Sequence, residues 1–189
     1  MRAEPAEAGF VAETVAETFQ HLGVAVWLVP QRSQRRRVLC DVVRLFVEHA
    51  LEHGEVLLTD DRSAVAVWLP WPRRVPLPPD YERRQAAICG PWTDRFRHYD
   101  QLRWAHRPTR PHRYLAFHAT DPDRRGEGIG SVLLHHYHDQ LDADGVSAYV
   151  DACSPPARDL YARHGYVAGP PFALPDGAPL WPMWRDPTP

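Results

Sequence analysis

The sequence predicts an α+β fold in which helices are layered on a mixed sheet. Three observations carry this. Tyr114 to Thr120 is aromatic and apolar enough for a buried strand, and Asp121-Pro122-Asp123 stops it. Gly126, Gly128 and Gly130 then lead into Ile129, Val132, Leu133, His136 and Tyr137 at helical spacing, so the unit reads strand, glycine loop, helix. Upstream, Glu55–Thr59 and Ser63–Leu69 are two β-rich runs joined by Asp60-Asp61-Arg62, an antiparallel hairpin.

The other elements follow in order. Phe10, Val11, Thr14, Val15, Thr18 and Phe19 form a helical stripe, and Gly23 is read as its end. Val24 to Pro30 reads as an apolar loop carrying Trp27. Ser33 is a candidate cap for a second helix, whose wide apolar face runs from Val38 to Leu51 and stops at Gly54. Arg32 to Arg37 is expected to be its solvated start. Pro70 to Pro79 excludes helix and central strand; it is a surface connection or an acceptor-site flap bearing Trp71. Tyr81 to Ala105 reads as helix, broken near Gly90-Pro91. After the glycine unit, whose helix is expected to begin near Glu127 and end at Gly145, Val146–Ala152 reads as a strand. The Pro-rich tail keeps short strands around Phe172 and Leu180–Trp184, expected at a sheet edge where proline is tolerated.

Bulk properties bound the function. At 189 residues, 44% apolar and 24% charged, one soluble globular domain spanning 1–189 is expected. A formal net charge of −2 gives no overall attraction to nucleic acid or to anionic membranes. No apolar run approaches a membrane span and no signal peptide is read. Cys40, Cys89 and Cys153 show neither metal spacing nor a disulfide framework, which points to a reducing cytoplasm. His135, His136 and His138 cluster without a completing ligand, so no metal is expected. Every basic residue is arginine, so acetylation of an internal lysine is impossible.

The glycine loop carries the chemistry. Free N–H groups at a helix start, unobstructed by side chains, suit a pyrophosphate. A nucleotide hydrolase P-loop needs a Gly-Lys-Ser/Thr ending, and the chain has no lysine. A dinucleotide fingerprint needs Gly-x-Gly-x-x-Gly early in the fold; here the spacing is Gly-x-Gly-x-Gly with about a third of the chain beyond it, although Asp151 follows at a plausible distance.

Arg125, Gly128 and Gly130 fit Arg/Gln-x-x-Gly-x-Gly, which resembles the acetyl-CoA loop of the GCN5-related N-acetyltransferase (GNAT) superfamily. Asp159-Leu-Tyr-Ala-Arg-His-Gly-Tyr-Val167 is similar to that superfamily's Leu-Tyr-x-x-x-Gly-Phe motif, with Tyr166 in place of Phe. The pattern runs closest to the puromycin N-acetyltransferase branch, through His106-Arg-Pro, the Asp60-Asp61 turn before Ala64-Val-Ala-Val-Trp68, and the Pro-rich tail to Trp184.

The resemblance implies a mostly antiparallel sheet with helices on both faces and a splayed central strand pair, Tyr114–Thr120 beside Val146–Ala152. The superfamily's first strand is expected to be short or missing here. It implies acetyl-CoA as co-substrate, a small-molecule amine as acceptor, direct attack on the thioester, and a fold compatible with a homodimer. Residues implied to hold the donor are His118, Ala119, Thr120, Arg125, Gly126, Glu127, Gly128, Ile129, Gly130 and Ser131, with a main-chain N–H near Ala119 or Thr120 as oxyanion donor. Tyr161 matches the family's general acid for the departing thiolate; its other reading is a core aromatic. The base is Asp151, His118 or a water chain. Trp27, Trp71 and Tyr149 are candidates for the acceptor pocket. One departure stands out: the closest branch tends to carry Asn where this chain has Ala157, and Ser154 is the candidate substitute as a polar contact. That departure keeps open a non-catalytic acyl-CoA-binding module, and a protein or peptide amine remains the third reading.

Overall fold

The computed structural model describes residues 1–71 and 77–188, with the side chain of Trp71 excepted. The reading of Pro70–Pro79 as a connection is corrected at its start, where Pro70 and Trp71 continue strand 64–71 and pair with Arg113 and His112. Pro70, Leu77 and Pro78 line a cavity, while residues 72–76 of the flap reading and the pocket role of the Trp71 side chain lie outside the described residues.

Strands β1 (Glu55–Leu58), β2 (Ala64–Trp71), β3 (His112–Thr120), β4 (Ala148–Ala152), β5 (Val167–Ala168), β6 (Phe172–Ala173) and β7 (Pro179–Arg185) make up the sheet. The order is β1-β2-β3-β4-β7-β5, with β6 paired to β7. All pairs are antiparallel except β3 with β4. The tail strand β7 does not close an edge: it lies between β4 and β5, and Pro182 still uses its carbonyl to accept from Gly169 N–H at 2.8 Å. The missing leading strand is reduced to a bridge between Arg2 and Leu57.

Alternation on the strands divides the core between two faces. Val65, Val67, Leu69, Tyr114 and Tyr149 pack against α1 (Ala8–Phe19) and α3 (Arg32–His53). Ala64, Ala66, Trp68, Leu115, Ala148 and Val150 pack on the opposite face against α6 (Ile129–Ala143) and Tyr161 of α7 (Pro155–Arg163). Helices α2 (Gly23–Leu28), α4 (Tyr81–Cys89) and α5 (Thr93–His106) gather beyond the α1/α3 face, where Val24, Ala25, Leu28, Val42 and Phe96 form a third cluster.

The expected break near Gly90-Pro91 is present between α4 and α5. Three local expectations are corrected. Val24–Pro30 is not a loop: Val24, Ala25 and Leu28 share one face of a short helix and are buried, and Gly23 opens that helix rather than closing α1. Ser33 is no cap, because α3 already starts at Arg32 behind Gln31. The arginine run is not wholly solvated, since buried Arg35 donates to the carbonyls of Val29 (2.7 Å), Gln20 (3.1 Å) and Pro30 (3.0 Å). One guanidinium thus satisfies three carbonyls where α1, α2 and α3 meet.

Candidate active site

The glycine loop is open. Gly126 (φ +85°) and Gly128 (φ +79°) take left-handed backbone that other residues adopt at a cost, and a Cβ at either would meet no atom within 4 Å. Among the described residues, no acceptor serves the N–H groups of residues 125–131; Val132 N–H is the first to bond, to Gly128 O at 3.3 Å. Helix α6 starts at Ile129 rather than Glu127, because Gly128 is its left-handed cap. Arg124 is bound to Asp61 (2.6 Å) and Glu127 (2.7 Å), which leaves exposed Arg125 beside the opening. The N–H cluster and Arg125 fit a diphosphate.

Gly130 has a separate role. A Cβ there would lie 2.9 Å from both His118 Nε2 and Thr120 Oγ1, so only glycine lets α6 approach β3 this closely.

The parallel strands part beside this loop. β3 and β4 pair only at Arg113↔Ala148 and Tyr114↔Tyr149. On its other edge β3 stays paired with β2 to Thr120, with Ala116 as the extra residue where the register shifts. The β4-facing edge of β3 beyond Tyr114 therefore has no strand partner among the described residues.

The α1/α3 side of that gap opens into a cavity lined by Phe19, Val24, Leu28, Phe46, Phe117, Asp151 and Tyr161 among others. A second cavity adjoins it across Asp100, Arg103 and Tyr114. Tyr161 is 6% exposed, and its hydroxyl makes no hydrogen bond among the described residues. Burial, then the neighbouring Cys153, raises its pKa, so the phenol stays protonated. Asp151 has both oxygens engaged: Tyr149 OH donates to Oδ1 at 2.5 Å and Arg103 Nε to Oδ2 at 3.2 Å. Tyr149 and Asp151 meet because they are two apart on one strand face.

Residues 81–166 match the model of the acetyltransferase (GNAT) family. A Corynebacterium glutamicum structure described as histone acetyltransferase HPA2 and related acetyltransferase is similar at 25% identity and TM-score 0.69, covering 100% of this chain and 95% of that one. The chain has the GNAT fold and is an N-acetyltransferase. Lower-identity structures share the fold. Arylalkylamine N-acetyltransferase 2 from Aedes aegypti is 11% identical, with TM-score 0.64 and coverage of 100% and 98%. A GNAT-family structure from Desulfovibrio desulfuricans is 17% identical, with TM-score 0.59 and coverage of 98% and 96%.

Other expected site residues of this acetyltransferase divide. His118 reaches the site, with its ring 6.1 Å from that of Tyr161. Its Nε2 lies 3.1 Å from Gly130 O, and since a carbonyl only accepts, Nε2 carries the proton and Nδ1 the lone pair. Burial pushes its pKa down to about 4, against the Gly130 bond, so the ring is neutral and a weak base. Ala119 and Thr120 lie on the unzipped part of β3.

Several side chains are already committed. Ser154 caps α7, accepting from Ala157 N–H at 3.3 Å, and its hydroxyl keeps a proton to donate. Ser131 Oγ is 2.9 Å from His164 Nε2, Glu127 holds Arg124, and Ile129 packs on the core; only their main chain is available to the loop. Trp27 is not in either cavity wall but packs on α5, with Arg95 over its ring at 5.5 Å. Its neighbours Val24, Ala25 and Leu28 line the cavity instead, because α2 is helical and presents the opposite face. Tyr149 is likewise absent from both walls; it is 1% exposed and orients Asp151. Cys153 lines the cavity, and burial pushes its thiol up to about 11, which removes it as a nucleophile near neutrality. Within the histidine cluster His138 is buried, 3.0 Å from Tyr166 OH, and no group of three metal-ligating side chains occurs among the described residues.

The residues that sequence reasoning missed are on α5. Arg103 joins Asp151 to Tyr114 OH and packs over the Tyr114 ring at 5.3 Å. Its side chain is 16% exposed and that of Asp151 3%. Arg103→Ala leaves Asp151 buried without its cation, and a loss of roughly 3 kcal/mol of stability is expected, read as a lowered urea midpoint. An unchanged midpoint would show that water replaces the guanidinium at no cost.

Proposed function

We propose that this acetyltransferase moves the acetyl group of acetyl-CoA to the amine of a small molecule, by direct attack of the amine on the thioester. The observation that carries the reading is the parting of β3 from β4 after Tyr114/Tyr149 beside the open glycine loop. Main-chain N–H groups of residues 126–131 and the Arg125 guanidinium hold the diphosphate of the co-substrate. The unpaired edge of β3 around His118, Ala119 and Thr120 takes the extended arm as a further strand would, and a main-chain N–H there polarises the thioester carbonyl. Tyr161 gives its proton to the departing thiolate. Asp151 receives the proton of the amine through a water, since each of its oxygens already accepts one hydrogen bond. His118 stays neutral and positions the loop through Gly130.

A small-molecule acceptor is favoured by the cavity, which is walled mainly by apolar side chains. A peptide tail would call for an open acidic cleft. The likeness to the puromycin N-acetyltransferase pattern agrees, as does the fold shared with structures named arylalkylamine and agmatine N-acetyltransferases. Nothing in this scheme calls for a metal, a nucleic acid or a membrane. Among the described residues no helix is long and apolar enough to cross a bilayer.

Thiol release from acetyl-CoA with a panel of primary amines tests the reading; no release with any amine at high protein concentration sinks it. Gly128→Val adds a branched side chain at a left-handed position beside the loop. It is expected to weaken CoA binding by roughly tenfold, measured by calorimetry, because the obstructed N–H groups lose diphosphate contacts. An unchanged affinity would place the diphosphate elsewhere.

A further inference from the structure

Asp100 stands on α5 in the wall common to both cavities. Its Oδ2 accepts from Tyr81 OH at 2.8 Å and from Gln85 Nε2 at 2.8 Å. Gln85 Nε2 also donates to the Tyr81 oxygen at 2.7 Å, which closes a triangle. Gln85 is 1% exposed and Tyr81 7%, so the carboxylate is held by donors that cannot swing into water. Its Oδ1 has no hydrogen-bond partner among the described residues. Arg103 and Arg107 line one of these cavities beside it and interact electrostatically with Asp100, but the hydrogen bonds of Arg103 go to Asp151 and the Tyr114 hydroxyl.

An oriented carboxylate oxygen with spare acceptor capacity therefore borders an apolar cavity. Half-buried beside an apolar wall, such an oxygen favours a cationic partner over a neutral one. The neighbouring rings suit a cation bearing an apolar body. Phe19 meets Phe117 at 6.1 Å, Phe117 meets Phe46 at 6.1 Å, and Phe46 meets Tyr81 at 5.3 Å, so edge-on rings run up to the carboxylate.

We propose that Asp100 is the specificity-determining anchor of the acceptor site, where its Oδ1 receives the ammonium of an arriving amine that carries an aryl or alkyl body, before that nitrogen gives a proton through the water at Asp151 and attacks as the neutral amine. This rests on the acetyltransferase reading above and adds the charge and shape of the acceptor. The buried Tyr81–Gln85 pair acts through Asp100: it orients the oxygen and touches no substrate.

The test is calorimetric, on the full chain saturated with CoA, with 2-phenylethylamine and its neutral isostere 2-phenylethanol as probes. The wild-type protein is expected to bind the amine at least about tenfold more tightly, the effect of one charge-assisted hydrogen bond. Asp100→Asn is expected to abolish that preference and leave CoA affinity unchanged. The amide oxygen still accepts from Tyr81 and Gln85, so the fold is retained. Asp94→Asn, exposed on the same helix, controls for net charge and is expected to keep the preference. Equal binding of the two probes by the wild type, binding of neither, or an undiminished preference in Asp100→Asn overturns the anchor. Should Asp100→Asn not fold, the wild-type comparison decides alone. Failure of the acetyltransferase reading shows separately, as absent CoA binding and absent thiol release.

Discussion

Tyr161→Phe is expected to lower kcat about 100-fold, the low end of what a positioned proton donor contributes, with the KM of both substrates nearly unchanged. The phenol is buried in the cavity wall, its hydroxyl has no protein partner among the described residues, and burial keeps it protonated at neutral pH. Phenylalanine keeps the ring contact with Tyr166, whose centroid is 5.6 Å away, so the thermal midpoint should hold within a few degrees. Steady-state kinetics with saturating acetyl-CoA measures this. A kcat within about threefold of wild type would assign thiolate protonation to water and leave Tyr161 a core aromatic.

Acid is expected to unfold the protein in a window set by histidines rather than carboxylates. Burial, the largest cause at each, pushes His112 and His118 down to about 4 and His138 down to about 3, from 6.5. Below pH 6.5 the unfolded chain protonates these rings while the folded chain does not. The unfolded state binds the extra protons, so stability falls as pH drops from about 6.5 to about 4, by up to ~1.4 kcal/mol per pH unit for each ring. Above pH 6.5 both states are neutral at these rings and their contribution is flat. Asp142, lowered to about 2 by its bonds from Arg185, withdraws its support only below the ordinary carboxylate range, outside this window. Urea midpoints at pH 7.5, 6.0 and 5.0 measure the effect. A midpoint that stays level from 7.5 to 5.0 would mean the rings are already protonated or solvated in the fold.

Much of the geometry of the glycine loop was legible in the chain. Glycines at 126, 128 and 130 between a strand and a helical stripe leave few physical outcomes, since left-handed turns and unsatisfied N–H groups are local properties. The Tyr161 motif placed a phenol on a short helix, and its burial followed. The acceptor half was not legible. Trp27 and Tyr149 suggested a pocket by residue type alone, yet the faces that line the cavity belong to α2 and α5, and one was read as loop while the other showed no dominant apolar stripe. Arg103 and Asp100 were ordinary charged residues on a polar helix until Asp151, Tyr114, Tyr81 and Gln85 met them from distant parts of the chain.

The sequence by itself determined the strand, the glycine turn, the helix after it, and hence a run of unpaired N–H groups at the helix start, because backbone conformation and helix-end chemistry act over a few neighbouring residues. Only the tertiary structure decided that β3 and β4 part after one pair of tyrosines, that Asp151 is held by Tyr149 and Arg103, and that Asp100 borders the cavity. Those outcomes depend on which side chains meet across long separations, and packing, not local pattern, chooses among them.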